Sequence, residues 1–117
     1  MATMSIRETS TAQIRFQLLE DNAPIDLTSV NKVVIVLVPQ NGTGTLIDYD
    51  TTTNPTVIGV VSATRGIVGY YPQSGDLTYA NSPYKVFFWV YTSASSFYAV
   101  PDKADEELII EVSNDYA

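Results

Sequence analysis

Between Ser82-Pro83 and the polar run Ser93-Ala94-Ser95-Ser96, nine residues from Tyr84 to Thr92 hold five aromatics: Tyr84, Phe87, Phe88, Trp89 and Tyr91. Aromatic and β-branched side chains fit a pleated, half-buried surface, so this stretch predicts a central β-strand. Alternation along the strand puts Tyr84, Val86, Phe88 and Val90 on one face and Lys85, Phe87, Trp89 and Tyr91 on the other. Both sets are apolar apart from Lys85 at the outer end. One face therefore enters a core, and the second requires cover from a loop or from another protein.

The remainder of the chain has the same grain. From Thr9 to Leu19, Ala12, Ile14, Phe16 and Leu18 alternate with polar residues, the period of a strand with one wet face. Glu20 to Pro24 is turn chemistry. Lys32 to Val38 is almost continuously apolar, which predicts a strand covered on both sides. Pro39 ends it, and Asn41-Gly42 signals a hairpin returning through Thr45 to Tyr49. Further strands are expected over Thr56–Ser62, with a bulge or close contact at Gly59, and over Ile67–Tyr71, Phe97–Val100 and Leu108–Val112. In the connection from Pro72 to Pro83, Leu77 and Tyr79 are expected to tuck against the sheet edge. No helical periodicity extends over ten residues or more. About seven or eight short antiparallel strands with turn signals between them predict an all-β sandwich of immunoglobulin-like type, a small closed barrel being the competing arrangement. The expected organisation is an arm over residues 1–8, outside the fold, and one domain over 9–117.

Composition limits the chemistry. There is no Cys and no His, which removes disulfides, thiol nucleophiles, imidazole bases and the usual zinc and haem ligands. A net charge of -7 repels phosphate backbones and anionic lipid, so neither nucleic acid nor a membrane surface is an expected partner. No apolar run is long enough to span a bilayer or to serve as a signal peptide. Only 16% of residues are charged, which leaves much surface needing cover.

Each candidate site has a plainer reading beside it. Asp48 and Asp50 share a strand face, and Asp102, Asp105, Glu106 and Glu107 crowd a turn. Paired carboxylates can run glycoside hydrolysis and clustered oxygens can hold calcium, but no Asp-x-Asp-x-Asp-Gly loop is present and acidic turns are ordinarily solvated charge. Ser95 and Ser96 lack a neighbouring base, and Lys85 and Lys103 read as edge charges. Gly42 and Gly44 are followed by no Lys-Ser/Thr, so they form no phosphate loop. No catalytic residue, cofactor or metal is expected. The aromatics remain. Phe87, Trp89, Tyr91, Tyr70 and Tyr98 are the candidate protein-interface residues, with sandwich core or carbohydrate stacking as the other readings.

Ile14 to Thr28, including Pro24-Ile25-Asp26-Leu27-Thr28, and then Lys32 to Leu37 resemble the opening of the N-terminal immunoglobulin-like domain of phage baseplate upper proteins. Arg65 to Tyr70, Asp76-Leu77-Thr78 ahead of Tyr84 to Phe88, and Val100-Pro101 ahead of Glu107 to Val112 extend the similarity over most of the chain from Thr9 onward. The resemblance implies a virion part that docks a host-attachment device onto the particle. The expectation is thus a non-enzymatic structural protein of a tailed phage, located in the virion after synthesis in the host cytoplasm. It would be present in several copies or as a homo-oligomer among other virion proteins, at the tail or baseplate. A capsid cement or decoration protein and a carbohydrate-binding adhesion module are the alternatives.

Overall fold

A computed structural model describes residues 3–20, 23–41, 45–101 and 108–113. The described residues form two packed sheets and one short 3-10 turn, Tyr79–Asn81. The larger sheet contains β1 (Thr3–Arg7), β5 (Lys32–Pro39), β6 (Ile47–Asp50), β9 (Tyr84–Tyr91), β10 (Phe97–Val100) and β11 (Leu108–Ser113). Its order is β1-β11-β9-β5-β6, with β10 also on β9. The smaller sheet has the order β2-β8-β7, from β2 (Ile14–Gln17), β7 (Ile58–Ser62) and β8 (Ile67–Tyr70). A two-residue pair, β3 (Leu19–Glu20) and β4 (Ala23–Pro24), closes one end. The chain is an all-β sandwich.

β9 is the axis of the larger sheet. Along one edge it pairs with all eight residues of β5, from Lys32 opposite Tyr91 to Pro39 opposite Tyr84. The other edge is shared, with Phe97 to Val100 opposite Tyr91 to Phe88 and Leu108 to Ile110 opposite Val86 to Tyr84. Between Val100 and Leu108 the pairing therefore slips by six residues across the single ladder position of Phe87. Burial along β9 alternates without a break, its inward side chains being Tyr84, Val86, Phe88 and Val90.

The core fills the gap between the sheets. Phe16 of β2 meets Phe88 of β9 edge to face, ring centroids 5.2 Å apart at 63°, and Ile14, Ile35, Leu37, Ile58, Val68 and Ile110 pack around them. Burying each large apolar side chain contributes about 1.5–3 kcal/mol, so the alternating pattern of these strands is what drives the two layers together. At the crossing between sheets, the Tyr84 hydroxyl accepts the Thr78 backbone N–H at 3.0 Å. A tyrosine at this corner is a feature of immunoglobulin domains. Gly66, at φ 66°, turns the chain where a Cβ would lie 2.6 Å from the Ile25 carbonyl oxygen and 2.9 Å from that of Leu18. The Gly66 carbonyl in turn accepts the Leu18 N–H at 2.7 Å.

Three sequence expectations are corrected. The supposed arm is, over Thr3–Arg7, an edge strand running parallel to β11, with Met4 and Ile6 packed on the core. Its partner lies at the opposite end of the chain, so no local signal marks it. The irregularity in β7 falls between Val60 and Ser62 rather than at Gly59. The closely approached glycine is Gly69 on β8, where an added Cβ would strike the Gln13 side chain. Tyr79 does not tuck in: it is 55% exposed, whereas Leu77 is buried. The hairpin tip at 42–44 and the acidic turn at 102–107 lie outside the described residues.

Candidate protein interface

Pairing register determines which side chains share the outer face of the larger sheet. Opposite residues in adjacent strands point the same way, so Tyr91, Trp89, Phe87 and Lys85 of β9 lie beside Lys32, Val34, Val36 and Val38 of β5. Phe97 and Ala99 of β10 flank Tyr91 and Trp89. Ile109 of β11 flanks Lys85, and Asp48 and Asp50 of β6 form the far margin beside Val36 and Val34.

The aromatic rings form one connected group. Phe87 and Trp89 are 6.0 Å apart between centroids, Trp89 and Phe97 4.5 Å, and Tyr91 and Phe97 4.8 Å, all at tilted angles. The Lys32 ammonium lies 4.7 Å from the Tyr91 ring centroid, a cation–π contact that occupies that ring. Phe87, Trp89 and Tyr91 are half-buried, while Phe97 at the edge of the group is 45% exposed. Such an arrangement offers a rigid apolar ridge with few hydrogen-bonding groups, the make-up of the centre of a protein contact.

Among the described residues, charge on this face is balanced. Arg7, Lys32 and Lys85 are matched by Asp48, Asp50 and Glu111, the alternation of β1 and β11 placing Arg7 and Glu111 on the outer side. The chain as a whole carries -7.

Asp50 is already engaged. Its Oδ1 accepts the backbone N–H groups of Thr52 and Thr53, at 2.9 and 2.5 Å. Partial burial pushes its carboxyl upward, but these bonds and the nearby Lys32 charge outweigh burial and hold it below the usual carboxylate range. The Asp48/Asp50 pair is a turn-capping residue beside an exposed neighbour. Among the described residues, no three His, Cys, Asp or Glu side chains group so as to hold a metal ion.

Of the five residues expected at an interface, Phe87, Trp89 and Tyr91 lie together on this face and two do not. Tyr70 is fully buried on β8, within the core. Its hydroxyl donates to Asp76 Oδ2 at 2.7 Å, and the Tyr49 hydroxyl donates to the same carboxylate, 2.7 Å from Oδ1. The Gln73 N–H, 3.0 Å from Oδ2, is a third donor. Burial first, and then the neighbouring Asp76 carboxylate, push both tyrosine hydroxyls up from their ordinary value. This buried cluster fastens the loop after β8 to the sandwich. Tyr98 pairs with the inward-facing Val90 and so lies on the other side of β10 from Trp89. Burial and the Glu20 charge raise its hydroxyl pKa.

Phe97, an aromatic of the wider candidate set, and Val34, which was not singled out, also belong to the face. A signal existed for Phe97: the serine-rich turn is closed by Thr92 N–H to the Ser96 carbonyl at 2.9 Å, which places Phe97 directly opposite Tyr91. No protein-family model matches the sequence, and no curated protein matches it.

Proposed function

We propose that this chain is a non-enzymatic structural protein of a tailed-phage virion, an immunoglobulin-like assembly module of the tail or baseplate host-attachment apparatus. The observation that carries the assembly reading is the outer face of the larger sheet, where Phe87, Trp89, Tyr91 and Phe97 join into one ridge. The placement in a phage rests on the resemblance of Ile14 to Leu37 and of Asp76 to Phe88 to baseplate upper proteins. A capsid cement or decoration protein uses the same kind of face, and copy number separates the two placements. Mass spectrometry of purified particles tests the proposal: a low count in multiples of three or six places the protein in the tail, and a count in the hundreds places it on the capsid. Absence from particles of a phage that expresses it would overturn the proposal.

Carbohydrate binding is the second reading, favoured by the exposed ring of Phe97 beside Trp89. Two features weigh against it. The rings tilt against one another instead of presenting parallel platforms, and Lys32 already occupies the Tyr91 ring. A glycan array with a Trp89→Ala control decides between the readings, binding that depends on Trp89 favouring the sugar.

A further inference from the structure

We propose that the cleft between the segment after β1 and the loop after β8 binds a small neutral carbohydrate, a monosaccharide or the end of a short glycan. The cleft shares no residue with the aromatic ridge, so the proposal stands apart from the assembly reading.

Size and lining are the first argument. The space measures about 320 Å³, at the lower end of the range for small-molecule sites. Its apolar lining is Pro72 and Leu77, both buried. Hydroxyl, amide and carboxylate groups make up most of the remainder, among them Glu8, Thr11, Gln73 and Ser74. A sugar ring is divided in the same way, with apolar C–H faces and a rim of hydroxyls that both donate and accept.

Both walls are held in place before any ligand arrives. The Asp76 carboxylate accepts the Tyr49 and Tyr70 hydroxyls and the Gln73 N–H, which fixes the start of the loop. The Thr78 N–H donates to the Tyr84 hydroxyl at 3.0 Å and fixes its end. The Tyr79 N–H donates to Glu8 Oε2 at 2.8 Å, tying one wall to the other. Preformed geometry lowers the ordering cost of binding. The Gln73 amide is oriented by its own donation, Nε2 to the Tyr71 carbonyl at 2.8 Å. The second oxygen of Glu8 and the Gln73 side-chain carbonyl are then the acceptors that sugar hydroxyls would meet.

Charge selects the class of ligand. Glu8 is the sole charged residue of the described lining, so phosphate, sulfate and carboxylate groups are repelled. Among the described residues no three His, Cys, Asp or Glu side chains converge, so a metal ion finds no ligand set here. Two rings adjoin the lining in sequence: Tyr71 precedes Pro72 and Tyr79 follows Thr78, and they are 45% and 55% exposed. Exposed tyrosine combines an apolar ring face with a polar handle, the pairing that a sugar's own faces and hydroxyls match.

The test uses the full chain, isotope-labelled for two-dimensional NMR and titrated with D-glucose, D-galactose, L-rhamnose and N-acetyl-D-glucosamine at millimolar concentration. N-acetylneuraminic acid and ethanolamine are the charged comparators. At least one neutral sugar should shift the amide signals of residues 8–11 and 72–78 saturably, while the indole signal of the single tryptophan, Trp89, stays in place. Glu8→Gln keeps an acceptor for the Tyr79 N–H and should weaken binding about tenfold, because a charged acceptor becomes a neutral one. Gln73→Ala should weaken it as well, and Trp89→Ala should bind as the parent does. A melting curve of each variant confirms folding. Four results would overturn the proposal: no shift with any of these sugars, shifts centred on Trp89, binding unchanged in both cleft variants, or tighter binding of either charged comparator. Incorporation into particles, which tests the assembly reading, is indifferent to all of them.

Discussion

The Tyr70 hydroxyl and the Asp76 carboxylate form a 2.7 Å hydrogen bond in the interior, with Asp76 only 7% exposed. A carboxylate there is tolerated because Tyr49, Tyr70 and the Gln73 N–H all donate to it. Asp76→Ala would leave buried hydroxyls without an acceptor and should cost about 3 kcal/mol or more in urea unfolding, whereas Tyr70→Phe should cost less.

The same cluster predicts an alkaline limit. Tyr49 and Tyr70 have hydroxyl pKa values raised in the folded state, so the unfolded chain releases these protons first. Their contribution is intact below the ordinary tyrosine value of 10.0 and is lost as pH climbs from there toward the folded values. Melting temperature measured from pH 8 to 12 should stay level and then fall, and the fall should be shallower in Tyr70→Phe.

At the acid end the relevant groups are Asp26 and Asp50. The Thr28 hydroxyl and N–H hold Asp26 below its usual range, and the balance at Asp50 has the same sign. Folded values below 3.8 mean that this stability is present at neutral pH and is lost as pH falls through the depressed values. The double variant Asp26→Asn, Asp50→Asn should show a flatter loss of stability between pH 5 and pH 2 than the parent chain, as measured by circular dichroism.

Across the core, Phe16→Ala and Phe88→Ala should each cost about 3–5 kcal/mol, because a cavity opens between the sheets. The edge-to-face contact at 5.2 Å predicts a coupling of about 0.5–1.5 kcal/mol in a double-mutant cycle. Additive single effects would show that the ring geometry contributes nothing beyond burial.

Gly66→Ala should be more damaging than Gly75→Ala. Both glycines have positive φ, 66° and 84°, which an alanine tolerates at a cost of about 1–2 kcal/mol. Only at Gly66 does the new Cβ also meet backbone carbonyls, at 2.6 and 2.9 Å, while nothing lies within 4 Å of one at Gly75. Paired chemical denaturation curves should separate the two by more than the shared conformational cost.

Most strands were legible because their burial follows local alternation, most clearly over Tyr84–Tyr91 and Lys32–Pro39. The assignment of Phe87, Trp89 and Tyr91 to one outer face follows from the same period. What escaped depends on contacts between distant segments. Thr3–Arg7 became a strand only through Ile109 to Ser113, more than a hundred residues away. Asp76 looked like an ordinary turn residue, since its acceptor role is set by Tyr49, 27 positions earlier, as well as by Tyr70. Tyr70 and Tyr98 were misplaced because aromatic identity does not say which way a short strand turns its side chains; pairing with Ile58 and Val90 does.

The slip opposite Phe87 makes the sandwich open to variation in length at one chosen point. Seven residues, 101–107, join two stretches already registered on β9 by their own hydrogen bonds, so neither stretch depends on the length of the join. Doubling the length of a connection costs only about 0.6 kcal/mol in closure entropy. A guest peptide spliced into that join should therefore leave both ladders on β9 as they are.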